Sequence, residues 1–148
     1  MNQPIVRRTL SESSASPEMT YTQYSPGVCN IGSAEIALRR MYGWGGLAAT
    51  ALCVAVLAIL RSPVPWWAGL VIPATVSACG FLQAELRFCF AFGLRHVFNF
   101  SGTVGRVERV ADREQRAADR GRSMLIIALS LACGVVVTAA AIFIRSFL

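Results

Sequence analysis

Three long apolar segments restrict the fold of this chain more than any other feature of its sequence. They cover residues 42–60, about 66–86 and 124–144, and the only charged residue inside them is Glu85. Each has close to the roughly 20 residues that a helix needs to cross a bilayer core about 30 Å thick. Only 15% of the 148 residues are charged, against about 25% in soluble domains. The polar remainder is too short to cover three such helices in water, so we predict an all-α membrane protein with three transmembrane helices rather than a soluble protein with buried core helices.

The rest of the chain divides into a polar tail and the membrane domain. Residues 1–32 are polar and rich in Ser, Pro and Thr, which predicts a flexible tail. No apolar run starts before residue 42, which argues against a secretory signal peptide and leaves a cleaved transit peptide as an alternative. The membrane domain, residues 33–148, should begin with a short surface helix that is capped by Ser33 and carries Glu35 in its first turn.

The distribution of arginine predicts the orientation of the chain. All 14 basic residues are Arg, and 12 of them precede the first apolar segment or lie between the second and the third. The other two, Arg61 and Arg145, lie at the opposite side. The positive-inside rule therefore places the N-terminus and the long loop in the cytoplasm and the C-terminus outside. We take the net charge of +6 as a signal of orientation and predict no nucleic-acid partner.

Prolines and small residues predict how the three helices pack. Pro63 and Pro65 end the first helix in a short turn, which makes the first two helices antiparallel neighbours. Pro73 predicts a kink in the second helix. Small residues recur every four positions on the first and third helices, where they would allow a close approach of another helix. They are Gly45, Ala49 and Cys53 on the first helix and Ser130, Gly134 and Thr138 on the third.

The segment 103–122 is predicted to form a charged cytoplasmic helix between the second and third spans. Its arginines recur at spacings of three and four residues, so on a helix they would form one stripe. One interpretation is a solvated spacer, and the other is an arm that binds anionic lipid headgroups or an acidic partner. The residues of the stripe are Arg106, Arg109, Arg113, Arg116 and Arg120.

Trp66 is expected at the outer membrane interface. Glu85 would then lie about 28 Å away along a helix, so the stretch from Gly80 to Phe100 should lie at the inner membrane surface. Glu85 and Cys89 are four residues apart and would share a helix face. Three interpretations stay open: an interface with no special role, a polar network, or a metal or thiol site. The network would contain Asn30, Glu35, Gln83, Glu85 and Arg87. The metal or thiol site would contain Cys29, Cys89 and His96.

Two of these segments resemble a group of small bacterial multi-pass membrane proteins. The resemblance is carried by CNIG, at Cys29–Gly32, and by FLQAxxxFC, at Phe81–Cys89. It implies an integral protein of the bacterial inner membrane. It implies no activity, cofactor or catalytic residue.

The functional hypotheses follow from what the sequence contains and lacks. It has no Ser/His/Asp set and no Gly-rich phosphate loop after a strand, so a classical soluble-type enzyme is the least favoured hypothesis and no catalytic residue is assigned. The favoured hypothesis is an accessory or assembly subunit that contacts the lipid bilayer and other membrane protein subunits. The alternatives are a redox or metal-handling protein that uses Cys29 and Cys89, and an oligomeric transporter protomer.

Overall fold

The computed structural model describes residues 24–147, which are mostly helical. The prediction of three long apolar helices is confirmed, because three helical segments are long and apolar enough to span a membrane. They cover Ser33–Ile59, Val64–Glu85 and Arg113–Arg145. The elements in chain order are α1 (Ser33–Ile59), α2 (Val64–Trp67), α3 (Val71–Glu85), α4 (Phe90–Arg95), β1 (Val97–Phe98), β2 (Glu108–Arg109) and α5 (Arg113–Arg145). A 3-10 turn, Ala68–Leu70, joins α2 to α3.

Helix α3 is the centre of the bundle, because α1 packs on one part of it and α5 on another. Glycines bring α1 and α3 into backbone contact. A Cβ atom built on Gly80 would lie 2.7 Å from the Cα atom of Gly43, and one built on Gly46 would lie 2.8 Å from the Cα atom of Ser77. The Ser77 hydroxyl donates a hydrogen bond of 2.9 Å to the carbonyl of Gly43. Only residues without a side chain permit this separation, so these glycines set the distance between the two helices.

The two predicted small-residue stripes have different outcomes. On α5, Ser130, Gly134 and Thr138 are buried, and Gly134 lies directly against Thr75 of α3. On α1, Gly45, Ala49 and Cys53 are all exposed, and the buried positions are Gly43, Gly46 and Thr50. The prediction was therefore correct for α5 and wrong for the face by which α1 packs. Small residues occur on more than one side of α1, and the face that packs is the one that fits Ser77 and Gly80 of α3.

The N-terminal part of the domain also differs from the prediction. Within the described residues, the predicted surface helix and the first span form one helix, because α1 runs without a break from Ser33 to Ile59. Gly32 is its N-cap residue rather than Ser33, although Glu35 lies in the first turn as predicted. The predicted tail reached residue 32, but residues 24–32 are tied to the rest of the structure by hydrogen bonds; the earlier residues lie outside the described part.

Helices α1 and α3 end in the same way, with an arginine in the left-handed conformation. Arg61 has φ 49° and Arg87 has φ 51°. After α3, the amide of Phe88 donates to the carbonyl of Gln83 at 3.0 Å, which is the bond of a Schellman motif. The chain reverses there, and Cys89 becomes the N-cap of α4. Glu85 and Cys89 consequently do not share a helix face, which corrects that expectation. In the second span, the 3-10 turn lies just before Pro73. Proline has no amide hydrogen, so it cannot donate the α-helical hydrogen bond to the carbonyl four residues earlier, which lies in that turn.

The predicted charged helix over residues 103–122 is wrong in its first half. Residues 103–112 are not helical, and β2 pairs with β1 in an antiparallel register of Val97 with Arg109 and Phe98 with Glu108. Helix α5 begins at Arg113, where the Asp112 side chain accepts a hydrogen bond from the Glu114 amide at 3.0 Å. It continues through the third apolar segment, so the five arginines do not form one stripe.

The two ends of the bundle have different chemistry. One end gathers residues 24–32 and the whole connection between α3 and α5, and these two segments hydrogen-bond to each other. The other end holds the turn after α1 and the last turn of α5, where the Arg145 guanidinium lies 5.6 Å from the ring centre of Trp67. The polar residues predicted as a site all lie at the first end.

Candidate functional site

The candidate site is a buried polar cluster at that end, and Asn30 is its first component. Asn30 is fully buried. Its Oδ1 accepts from the Cys89 amide at 2.7 Å, and its Nδ2 donates to the Cys89 carbonyl at 3.0 Å. Its own amide donates to the Arg87 carbonyl at 3.2 Å, and its carbonyl accepts from the Asn99 amide at 3.0 Å. All four polar groups of one residue therefore join three separate segments.

Asn99 is the second component, and it organises the loop after β1. Its Nδ2 donates to Glu35 Oε1 at 3.1 Å and to the Thr103 carbonyl at 2.9 Å. Its Oδ1 accepts from the amide and the hydroxyl of Ser101 at 3.0 and 2.7 Å. The Asn99 carbonyl accepts from the Gly32 amide at 2.7 Å. Asn99 thus fixes a loop and fastens it to the start of α1.

Glu35 is the third component, and its carboxylate is 2% exposed. Its Oε1 accepts from Asn99 and from the Gly105 amide at 2.9 Å. Its Oε2 lies 3.2 Å from an Nη atom of Arg39, one turn further along α1. Arg39 also donates to the Cys89 sulfur at 3.2 Å and lies over the rings of Tyr42 and Phe92. A buried carboxylate is stable here because it is both paired and hydrogen-bonded.

The predicted network residues of the second span lie around this cluster rather than inside it. Gln83 accepts from the first amide of α4, at Phe90, and donates to the Cys79 carbonyl. Arg87 contributes its carbonyl to Asn30. Glu85 is exposed and pairs only with the equally exposed Arg40 at 3.3 Å, so among the described residues it does not belong to the buried cluster.

The two predicted cysteines are buried and serve the packing of the cluster. Cys29 donates its thiol to the Ile31 carbonyl at 3.8 Å, and burial raises the pKa of this thiol above its usual value. A raised pKa keeps the sulfur in its unreactive thiol form at neutral pH. His96 lies after α4 with φ 56°. Within residues 24–147, no three His, Cys, Asp or Glu side chains are arranged to bind one metal ion, so Cys29, Cys89 and His96 do not assemble as a metal centre there.

A second tether at the same end was not predicted from the sequence. Asp119 of α5 is fully buried and accepts from the Tyr24 hydroxyl at 2.9 Å and the Gly27 amide at 2.8 Å. Gly27 has φ 67°, and a Cβ atom there would lie 3.3 Å from the Cβ of Ala118. Burial, followed by the hydrogen bond to Asp119, raises the pKa of Tyr24 well above its usual range. The segment before α1 is therefore fixed to α5 as well as to the loop.

The arginines of the predicted stripe separate around the two-stranded sheet. Neighbouring residues of a strand point to opposite faces. Phe98 and Glu108 line one cavity, together with Arg106. Val97 and Arg109 line a second cavity, of about 620 Å³, together with Arg116. Arg113 and Arg120 are exposed and line neither cavity.

Sequence reasoning found Asn30 and Glu35 but missed Asn99, Asp119 and Tyr24. Asn99 stands in the turn-forming run NFSG, which is a usable signal for a side chain that bonds to nearby backbone. Asp119 lies in a run of alternating charges, where a solvated face is the natural expectation.

No protein-family model, curated protein or solved structure matches the chain.

The hydrogen bonds of this cluster attach separate segments of the chain to one another. The side-chain groups of Asn30, Asn99 and Glu35 are all directed at other protein groups, at distances of 2.7–3.2 Å. Their partners lie in segments that are up to 70 residues apart in the chain. The cluster therefore holds α1, the end of α3 and the loop before α5 in one arrangement.

Proposed function

We propose that this chain is a small multi-pass integral membrane protein, oriented N-in and C-out, that serves as a non-enzymatic accessory or assembly subunit of a larger membrane complex. The observation that carries the proposal is the exposed small-residue stripe of α1. Gly45, Ala49 and Cys53 are exposed, and a Cβ atom on Gly45 would have no neighbour within 4 Å. Lipid covers such a face without needing small residues, whereas a partner helix needs them for close approach.

The polar cluster supports a role without chemistry of its own. Its donors and acceptors bond to the protein itself, which suits a rigid scaffold rather than a site that binds and releases a substrate. The two buried cysteines are part of the same packing. The resemblance of the CNIG and FLQAxxxFC segments adds the bacterial inner membrane as the proposed location.

Arginine and the arrangement of the bundle ends support the proposed orientation. The segment before α1 and the connection between α3 and α5 hydrogen-bond to each other at one end. Twelve of the 14 arginines precede the first apolar segment or lie between the second and the third. An odd number of spans would put these parts on one side of a membrane and the C-terminus on the other, as the positive-inside rule requires.

The test places a large side chain on the stripe and follows the complex. Ala49→Leu should abolish co-purification of the partner from native membranes in mild detergent, measured by quantitative mass spectrometry. Ala132→Leu is the matched control, because Ala132 is also an exposed helical alanine but lies on α5. Retention of every partner by Ala49→Leu, or purification of the unmodified protein as a monomer without partners, would refute the proposal.

A further inference from the structure

The second cavity has a lining that suits an anion. It is enclosed by α4, the two-stranded sheet and the first turn of α5, and its volume is about 620 Å³. This lies within the range of about 300–1,000 Å³ that small-molecule sites occupy. Three arginines line it, and no Asp or Glu of the described residues does; the arginines are Arg95, Arg109 and Arg116.

The fold removes the nearby carboxylates from this cavity. The alternation of β2 turns Glu108 to the other cavity. Asp112 is occupied as the N-cap of α5, and Asp119 accepts from Tyr24 and Gly27. Among residues 24–147, the only ion pairs are Glu35–Arg39 and Arg40–Glu85. The positive charge of the cavity is therefore not neutralised by the described part of the chain.

The guanidinium of Arg116 is held in place before any ligand arrives. Arg116 donates from Nε to the Val110 carbonyl at 2.8 Å and from Nη2 to the Ala111 carbonyl at 3.1 Å. The backbone of Arg109 is fixed beside it by the pairing of β2 with β1. Guanidinium groups with fixed positions bind phosphate well, because the planar fork matches its oxygen atoms.

The cavity also has an apolar side at the level where α5 becomes apolar. Phe92, Val97, Val107 and Val110 line it. Gly93 of α4 packs directly against Ser123, and the apolar segment of α5 begins at the next residue, Met124. The lining of the cavity therefore combines arginines with apolar side chains, and one of these, Phe92, is next to Gly93 in the chain. A free phosphate would use only the arginines, whereas a phospholipid would also use Phe92 and the valines.

We propose that this cavity binds the phosphate group of an anionic phospholipid. The inference rests on the membrane location given under the proposed function, but it does not depend on a partner subunit. The proposed site shares Arg109 and Arg116 with the predicted stripe, adds Arg95, and leaves Arg113 and Arg120 outside its lining.

The experiment titrates the full-length protein in dodecyl maltoside micelles with fluorescent phosphatidylglycerol and follows its anisotropy. The double variant Arg95→Gln/Arg109→Gln should bind it about thirty-fold more weakly, because each arginine near an anionic group contributes about five- to sixfold. Arg116 is left unchanged because it also supports the loop. The matched control, Arg113→Gln/Arg120→Gln, removes the same charge from positions that do not line the cavity and should change the affinity less than about threefold.

The outcomes separate the alternatives. An equal loss in both double variants would overturn the proposal in favour of unspecific attraction by surface charge. Unchanged binding in the cavity variant, with helicity and melting as in the unmodified protein, would also overturn it. Inorganic phosphate and glycerophosphate are the competitors; displacement of the lipid by either at the lipid's own concentration would overturn the assignment to a phospholipid. Failure of lipid binding leaves the requirement for detergent and the co-purified partners intact, so the proposed function is tested separately.

Discussion

Two ion pairs with nearly the same length should differ strongly in their contribution to stability. Glu35 and Arg39 lie 3.2 Å apart, and their side chains are 2% and 12% exposed. Arg40 and Glu85 lie 3.3 Å apart, and their side chains are 57% and 71% exposed. Distance is thus matched, and burial is the variable. The second pair serves as an internal control for the first.

The expected magnitudes follow from burial and hydrogen bonding. Removing one partner of a buried pair destabilises a protein by about 3–5 kcal/mol, because the other charge stays buried without compensation. Glu35→Gln keeps Oε1 as an acceptor for Asn99 and Gly105 and loses only the charged Oε2, so we expect a loss of about 3 kcal/mol. For Glu85→Gln we expect less than about 1 kcal/mol, since solvent screens an exposed pair.

A double-mutant cycle separates the ion pair from the other contacts of Arg39, which include the Cys89 sulfur. The single variants Glu35→Gln and Arg39→Gln and their combination give the coupling energy, which we expect to be about 1–3 kcal/mol. The assay is unfolding by sodium dodecyl sulfate in mixed micelles, followed by circular dichroism. The same cycle on Arg40 and Glu85 should give less than about 0.5 kcal/mol. A coupling energy for the buried pair that is no larger than for the exposed pair would show that the buried contact does not stabilise the fold.

Three further predictions concern packing, pH and thiol chemistry. Gly80→Ala should destabilise the protein by about 1–3 kcal/mol, since the new methyl group meets the α1 backbone. Gly45→Ala, in open space, should be neutral or stabilising in the same unfolding assay. Equal losses in the two variants would contradict the packing described for α3. The raised pKa of Tyr24 means that this residue contributes fully to stability below its unfolded pKa of about 10, and that the contribution is lost as the pH rises above that value. The free energy of unfolding, measured from about pH 9 to pH 11, should therefore fall less in Tyr24→Phe than in the unmodified protein. Identical alkaline profiles of the two proteins would disprove the argument. Cys29 and Cys89, which are 1% exposed, should react with maleimide at neutral pH only after unfolding, as located by peptide mass spectrometry, and rapid labelling of either one in native micelles would show that the cluster opens.

The parts of the fold that local chemistry determines were predictable from the sequence. The apolar segments give the three long helices, since uninterrupted apolar residues favour burial or lipid contact along their whole length. Pro63 and Pro65 give the turn between the first two. Glu35 in the first turn of α1 follows from the preference for acidic residues at a helix start.

The parts that depend on distant contacts were not predictable in the same way. The spacing of arginine over residues 103–122 fits a helix, but pairing with Val97 and Phe98 holds the first half as strand and loop. A local signal for the true helix start did exist, since Asp112 is followed three residues later by Gln115, which is the pattern of a capping box. The role of Asn99 depends on Glu35, which is 64 residues away in the chain.

The separation of Asn30 and Glu35 from Asn99 has a consequence for biogenesis. A ribosome synthesises the first two long before the third, so α1 is made while the Glu35 carboxylate and the Asn30 carbonyl still lack Asn99 as their partner. The bundle can close only after the loop that carries Asn99 and Gly105 has been made. Assembly thus includes the docking of a late polar loop onto an early helix, and a nascent chain stalled before residue 99 would leave the Glu35 carboxylate without the donors of Asn99 and Gly105.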